Sequence, residues 1–492
     1  MIWIKKAQKS KKEIIILKLS FRGGVHPPQN KNTAGKAIEK MPLPKKVYIP
    51  LSQHIGGACV PLVKKGDKVD KGQMIGNVEG GLGCPVHASV SGIVESIEVK
   101  TSASGVKTGQ IVIANDFEER LSSDIAPIDK SIDELTLDDI VEITKKAGIV
   151  GLGGATFPTY AKLSSGAGKI EYLIVNCAEC EPYITVNHRL LLEQPERVLG
   201  GLEILLKVFG LKKGYIAIED NKQDAINKLE ELNESKKIAD ICVMKTKYPQ
   251  GDERQIIYAL TGKELTSGHL PFEVGCMIIN AETMAAIYDA VKTGMPLIER
   301  FVTVDGDCIR DPKNLSVRLG TPINELIDYC GGLVKEPHKI IFGGPMMGVA
   351  QWKMYAPTVK GTSAVIVFSK QQRKRQTEQP SCIHCGRCVG HCPMHLMPNY
   401  LVAFANEGQL DKCRQFDILG CVECGCCSYD CPADVPIVQT IRVAKGKIME
   451  QIRAEKAAAA KKEAENKAKT ENKEENEKTE KSEEKGEKRV EH

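Results

Sequence analysis

Eight cysteines in one pattern, written twice, constrain this chain more than any other feature. The first copy runs Cys382-x2-Cys385-x2-Cys388-x3-Cys392 and ends on Pro393. The second runs Cys421-x2-Cys424-x2-Cys427-x3-Cys431 and ends on Pro432. Two-residue spacing lets three thiolates from one tight loop meet three irons of a cube. The fourth cysteine, just before proline, starts a new segment and reaches the other cube. The pattern predicts two 4Fe-4S clusters, one on Cys382, Cys385, Cys388 and Cys431, the other on Cys421, Cys424, Cys427 and Cys392. Paired zinc sites also use CxxC, but they leave the third cysteine and the Cys-Pro ending of each copy unexplained. Two clusters with swapped fourth ligands lie close together and form a wire for electrons.

The 28 residues between the motifs read as helical, which suggests an α-helical ferredoxin domain. Cys413 reads as core, Cys426 as a bystander beside a cluster, and His384 and His391 as surface residues. No run approaches the roughly 20 apolar residues that span a bilayer, and Ile14 to Leu17 is too short for a secretory segment. A cytoplasmic location follows, where disulfides are rare and 18 cysteines point to metal or redox chemistry. Aromatics make up 5% of the 492 residues and do not interleave with basic ones, so nucleic acid is not expected as a partner. The first 46 residues carry twelve Lys or Arg against Glu13 and Glu39, which reads as a basic arm, either solvated or near an anionic membrane surface. After Ala444 the composition collapses to Lys, Glu, Ala and Asn, the mark of a solvated helix or a disordered tail.

A wire needs something at each end, and the middle of the chain holds two candidates. Gly151-Leu-Gly153-Gly154-Ala-Thr-Phe157-Pro-Thr-Tyr-Ala-Lys162 follows the helix-like stretch Asp138 to Ala147. Such glycines let backbone amides approach a phosphate, and Lys162 stands ready to neutralise it. The strand-like Tyr172 to Val175 then runs into Asn176-Cys-Ala-Glu179-Cys-Glu181-Pro182. Asn176, Glu179 and Glu181 therefore fall at the carboxyl end of a strand, where open α/β sheets bind ligands.

In this order, and followed by cluster motifs, the two segments resemble the flavin-bearing, NADH-oxidising subunit of respiratory complex I. Tyr248-Pro-Gln-Gly-Asp-Glu253 looks like that family's G-E-E segment, and Asn280-Ala-Glu-Thr283 like its N-x-E-T. The resemblance implies that Gly151, Gly153, Gly154, Lys162, Asn176 and Asn280 contact FMN, and that Phe157, Glu181 and Glu253 face the nicotinamide nucleotide. Thr156 stands where that family has glycine, Ala178 where it has an acid, and that subunit carries one cluster rather than two.

A fuller match covers nearly the whole chain. Phe21-Arg-Gly-Gly-Val-His-Pro-Pro28, Pro85 to Gly92, Gly343-Gly-Pro-Met-Met-Gly348, the two segments above and the double motif together resemble the C subunit of the Rnf complex, a membrane-bound ferredoxin:NAD oxidoreductase. The resemblance implies FMN, NAD(H) and two clusters as cofactors. It implies the other Rnf subunits as partners, both the membrane-integral ones and the iron–sulfur B subunit, with ferredoxin as an indirect partner. It also implies a peripheral seat on the cytoplasmic face of the membrane, with no transmembrane segment. Ion translocation belongs to the complex. A microcompartment cobalamin reductase and a non-enzymatic relay with a decayed flavin site are the rival readings.

The expected fold is multidomain, α/β plus β. A basic arm occupies 1–46 and a barrel-sandwich hybrid 47–118, lipoyl-like but with no lysine from Gly72 to Val99 to carry a prosthetic arm. A Rossmann-like FMN/NADH domain spans 119–300 and a β-grasp soluble-ligand-binding module 301–368. A linker at 369–380 leads to the α-helical ferredoxin domain at 381–444 and the charged tail at 445–492.

Overall fold

The computed structural model describes residues 19–101, 105, 107–351, 354–370, 381–459 and 462. The start of the basic arm, nearly all of the linker and the end of the charged tail lie outside the described residues.

Four short apolar runs make the sheet that organises the chain: β1 (Tyr172–Asn176), β2 (Gly214–Glu219), β3 (Ala239–Met244) and β4 (Cys276–Asn280). Their neighbours all run parallel, in the spatial order β3-β2-β1-β4. Parallel strands need crossovers and are covered on both faces, which is why β1 and β4 read as nearly continuous hydrophobic runs. The order reverses between β1 and β4. There the carboxyl ends pair in register, Asn176 opposite Asn280, and an open α/β sheet offers its ligand crevice at such a reversal.

The flanking modules are not separate beads. The sheet of strands Lys46–Pro50, Lys107–Asn115, Gly92–Thr101 and Lys68–Val69 packs with a smaller three-stranded sheet as a barrel-sandwich. Its Val47, Ile75, Val86 and Ile113 share one continuous core with Ile149, Leu173 and Ile216 of the parallel-sheet domain. His54 accepts a bond from the Cys84 amide at 2.9 Å. Burial, helped by the Lys360 charge, holds its pKa down at about 4, so at neutral pH it is an uncharged core residue. The β-grasp module is a six-stranded sheet with its own core, built around Val302, Val304, Leu315 and Val365.

The described part of the basic arm is not a solvated arm. Residues 19–46 thread through the molecule: Leu19 bridges to Met244, Val25 bridges to Tyr248, and Ile38–Lys40 adds a parallel edge strand to the β-grasp sheet beside Lys313–Arg318. The segment is basic by composition, but apolar anchors stand among its lysines, and Phe21, Val25 and Met41 are all buried. Lys31 is enclosed too. Its ammonium donates to the carbonyls of Glu179, Glu181 and Ile184 at 2.7, 2.8 and 2.6 Å.

The cluster-motif region is all-helical, with short helices Arg387–Gly390, Pro398–Asn406, Leu410–Gln415 and Cys426–Tyr429 and a long one over 437–459. That last helix runs straight through Ala444, where the composition changes, and keeps Ile441, Ala444 and Ile448 in the domain core. Lys445 donates to the Cys421 carbonyl at 2.8 Å and pairs with Glu423 at 2.9 Å. Among the described residues no helix is long and apolar enough to cross a membrane.

If residues past Ala444 complete this core, Ile448→Ala leaves a cavity that costs about 2–4 kcal/mol, read by urea denaturation of the full chain. A change within about 0.5 kcal/mol, as at a solvated position, would return the helix after Ala444 to the tail.

Candidate functional site

The two copies of the cysteine motif fold alike. In each, the residue before the second cysteine (His384, Glu423), the glycine after it (Gly386, Gly425) and the third residue after the last cysteine (His395, Asp434) have positive φ. These left-handed positions wind the backbone tightly around a hollow. The amide of His384 donates to Cys382 Sγ and that of Glu423 to Cys421 Sγ, each at 3.4 Å, and the Leu396 amide donates to Cys392 Sγ at 3.4 Å. Amide donors favour the charged thiolate.

One hollow is lined by Cys382, Cys385, Cys388 and Cys431, with Val402 and Ile437 as its apolar wall. The other is lined by Cys392, Cys421, Cys424 and Cys427, with Leu401 and Ile441 behind them. Each set is three cysteines of one motif plus the last cysteine of the other. Among the described residues no three His, Cys, Asp or Glu side chains stand where a single ion would be held. Cys426 does line the second hollow, and its thiol contacts the Tyr248 carbonyl at 3.8 Å. Cys413 is core.

The two hollows differ in surroundings. Cys382 and Cys385 are exposed, and Ile383 between them is 63% exposed. The second hollow faces inward, toward the end of the parallel sheet. Tyr248 donates its hydroxyl to the Cys424 carbonyl at 2.7 Å, and its backbone exchanges both bonds with Val25 at 2.9 and 3.0 Å. Val25, Cys180, Tyr248, Cys424 and Cys426 pack as one apolar cluster with Met346. Gly24 sits in this seam at φ +75 degrees, and a Cβ there would fall 2.5 Å from the Tyr248 carbonyl. Its amide donates to the His391 carbonyl, and its own carbonyl meets His391 Nδ1, both at 2.9 Å.

At the sheet reversal the structure gathers most of the expected flavin residues. Asn176 donates to the Gly251 carbonyl at 2.9 Å, and Asn280 caps the helix Ala281–Thr293 by accepting from the Glu282 amide at 3.0 Å. Gly153 lies against Asn280, its missing Cβ 3.6 Å from that side chain. The turn from Gly151 to Phe157 is closed by Gly151 donating to the Phe157 carbonyl and Thr156 to the Gly151 carbonyl, at 2.8 and 3.1 Å. Within it the amides of Gly153, Gly154 and Ala155 donate to no acceptor among the described residues. Successive free amides of this kind form an anion cradle. Thr156 takes φ +50 degrees, a left-handed conformation that suits glycine better than a β-branched residue. It is braced by the Ile55 amide, which donates to its carbonyl at 3.2 Å.

Several expected residues are already engaged in other ways. Lys162 pairs with Glu253 at 2.6 Å and donates to the Ile278 carbonyl at 2.7 Å, so the two site residues hold each other. Glu179, expected at the cofactor, turns its carboxylate to the amides of Asn187 and His188 at 2.9 and 3.4 Å. There it caps the helix Val186–Glu193, whose orphan amides attract an acid. Glu181 accepts from the amides of Met346 and Met347 at 3.0 and 2.9 Å. Gly344 makes this fit possible, since a Cβ there would stand 2.1 Å from the carboxylate. Burial pushes the Glu181 carboxyl up to about 7, against the pull of those two amides. Phe157 is 37% exposed beside the turn. Lys31 and the Met346–Met347 backbone, which position Glu181, carried no signal of a role in the sequence. Only the Gly-Gly-Pro-Met-Met-Gly motif marked the second of them.

The family model described as the Nuo51 FMN-binding domain matches residues 144–289, the RnfC barrel sandwich hybrid domain matches 19–118, and the SLBB domain matches 301–350. The chain is 44% identical over 436 residues to the C subunit of the Na(+)-translocating ferredoxin:NAD(+) oxidoreductase complex of Acetobacterium woodii, covering 88% of this chain and 98% of that one. It is 43% identical to the C subunit of the proton-translocating ferredoxin:NAD(+) oxidoreductase complex of Clostridium ljungdahlii, covering 89% and 96%. It is 39% identical to the C subunit of the ion-translocating oxidoreductase complex of Rhodobacter capsulatus, covering 88% and 84%. Among solved structures, an NAD+-reducing nickel–iron hydrogenase in the H2-reduced state matches with a TM-score of 0.42 and 18% identity over 59% of this chain and 54% of that one. Identity at this level, sustained across nearly the full length of the first two relatives, shows that the chain belongs to the family of C subunits of the ion-translocating ferredoxin:NAD oxidoreductase, or Rnf, complexes.

Proposed function

We propose that this chain is the NAD(H)-reacting subunit of an Rnf-type ferredoxin:NAD oxidoreductase, and that it carries electrons between NAD(H), FMN and two 4Fe-4S clusters. One observation supports it above the others. The inward hollow and the switch point of the parallel sheet are joined by one loop, with Tyr248 bonded to the Cys424 carbonyl and Gly251 bonded to Asn176, while the other hollow opens outward between Cys382 and Cys385. A wire with one end at a nucleotide crevice and the other at the surface is what an electron-passing subunit needs. The four thiols of each hollow fit a cube, and the free amides of Gly153 to Ala155, with Asn176, Asn280 and Lys162 around them, fit a flavin phosphate and ring.

FMN, when bound, supplies the conversion between the two-electron chemistry of nicotinamide and the one-electron steps of the clusters. The chain's own residues bind and orient. The turn from Gly151 to Phe157 presents amides to an anion, and the Lys162–Glu253 pair supplies a cation whose partner a phosphate can replace. Phe157 offers an exposed aromatic face, Glu181 is the acid nearest the Tyr248 seam, and the Met346–Met347 loop closes over it. The exposed Cys382–Cys385 edge fits an iron–sulfur partner such as the B subunit of the complex, with ferredoxin reached through it. Membrane-integral subunits carry the ions, and this chain sits against them on the cytoplasmic face of the membrane.

The reading is tested anaerobically, by reconstituting the chain with iron, sulfide and FMN and adding NADH. Loss of both the flavin bands and the broad cluster absorbance is expected. Clusters that bleach with dithionite and stay oxidised under NADH would leave a relay, without the nicotinamide reaction. The sorting of ligands predicts that Cys431→Ser removes the same paramagnetic signal as Cys382→Ser, and Cys392→Ser the same signal as Cys421→Ser. Loss paired within each motif instead would refute the crosswise arrangement.

Glu181 adds a pH dependence. The folded chain keeps its proton up to about pH 7, whereas the ordinary value is 4.5. Its stabilising contribution is therefore complete below pH 4.5 and is lost as pH rises toward 7, by roughly 3 kcal/mol at most. Glu181→Gln should flatten this part of the stability–pH curve in urea titrations between pH 5 and 8. An unchanged slope would show that the carboxylate is already charged throughout.

A further inference from the structure

The glycine turn of the flavin site is held from outside its own domain. Leu152, second residue of that turn, has both its amide and its carbonyl taken. Its amide donates to Thr283 Oγ1 at 2.9 Å, and its carbonyl accepts from Arg300 Nη2 at 3.2 Å. Arg300 is the second residue of the strand Glu299–Asp305, which belongs to the six-stranded sheet of the β-grasp module and begins two residues before the expected boundary at 301, and it is 1% exposed. Its guanidinium also pairs with the buried Glu282 at 3.0 Å and donates to the Lys360 carbonyl, sixty residues on in the chain. Next to Lys360, Gly361 lies against the strained Thr156, its missing Cβ 2.8 Å from Thr156 Cγ2.

We propose that Arg300 is a positioning residue for the FMN-binding turn, so that the β-grasp module shapes the anion cradle as well as spacing the redox domains. The inference rests on the reading above for the identity of the ligand alone. A planar guanidinium holds the Leu152 carbonyl, the Lys360 carbonyl and the Glu282 carboxylate in one rigid fork, a fixed geometry that the rotatable donors of an ammonium do not impose. With Leu152 pinned at both its amide and its carbonyl, the next three amides stay free of the turn's own hydrogen bonds. A turn released from Arg300 is able to rotate that peptide and turn those amides to its own carbonyls.

The test is residue-resolved amide hydrogen exchange on the full chain without flavin, comparing the parent, Arg300→Lys and Thr283→Val. Arg300→Lys keeps a cation beside Glu282 and removes the fork. The bonded amides of Leu152 and Thr156 should then exchange about tenfold faster, the worth of roughly one hydrogen bond. The strand Tyr172–Asn176 should keep its protection. Thr283→Val loosens the same residue, Leu152, at its amide without disturbing the buried charges, and Thr156 is its informative amide. It keeps the test readable where Arg300→Lys fails to fold. FMN titrated into each protein, followed by quenching of its fluorescence, should bind about tenfold more weakly to both variants. Unchanged exchange at Thr156 in both variants overturns the inference, as does faster exchange spread equally over the Tyr172–Asn176 strand. Expected exchange in a parent that binds no FMN overturns the flavin reading instead and leaves the positioning of the turn standing.

Discussion

Cations buried at the seams hold this chain together as one body. An ammonium or guanidinium taken out of water must find acceptors inside, and leaving one unpaired is far costlier than the net worth of any single bond. Lys360, 1% exposed, donates to the carbonyls of Pro85 and Gly148, and so ties the β-grasp module to the barrel-sandwich and to the parallel-sheet domain at once. Arg300 links the same module to Glu282 and the glycine turn. Lys31 ties the amino-terminal segment to the loop that carries Glu181. Each cation makes the position of one module a condition for satisfying a charge in another.

Function depends on that rigidity. The crevice at Asn176 and Asn280 is assembled from one domain, but its turn is braced by Ile55 from the barrel-sandwich, and its acid by Met346 and Met347 from the β-grasp sheet. The seam to the inward hollow passes through Tyr248, which touches the amino-terminal segment on its backbone and the cluster-motif region at its hydroxyl. Electron transfer across such a path requires fixed distances, and a chain of hinged modules would not keep them. The shared core from Val47 to Ile216 fills the same need with apolar surface.

Much of the site is legible in the sequence. Cysteine spacing carries its own geometry, since three residues in one tight loop are neighbours whatever surrounds them, and the swap of the fourth follows from the proline that ends the loop. The crevice residues were legible because strand ends and glycine turns are local features. The helix contact of Glu179 was not legible, for the converse reason. Its neighbours in sequence mark a ligand site, while its carboxylate is drawn to the amides of a helix that starts seven residues later. The amino-terminal lysines were read by composition, and their neighbours' packing against Met244, Tyr248 and the β-grasp edge is entirely long-range.

By itself the sequence determined the two sets of four cysteines, the parallel-sheet crevice and the order of modules along the chain, because each is set by spacing or period over a few residues. Tertiary structure alone decided which hollow faces the crevice and which faces outward, that Lys162 meets Glu253, and that Arg300 and Lys360 reach across modules. Those choices depend on contacts between residues more than a hundred positions apart in most cases, such as Leu152 with Arg300 and Tyr248 with Cys424. No local pattern encodes them. They follow from burying charge and apolar surface together, which only the folded chain can do.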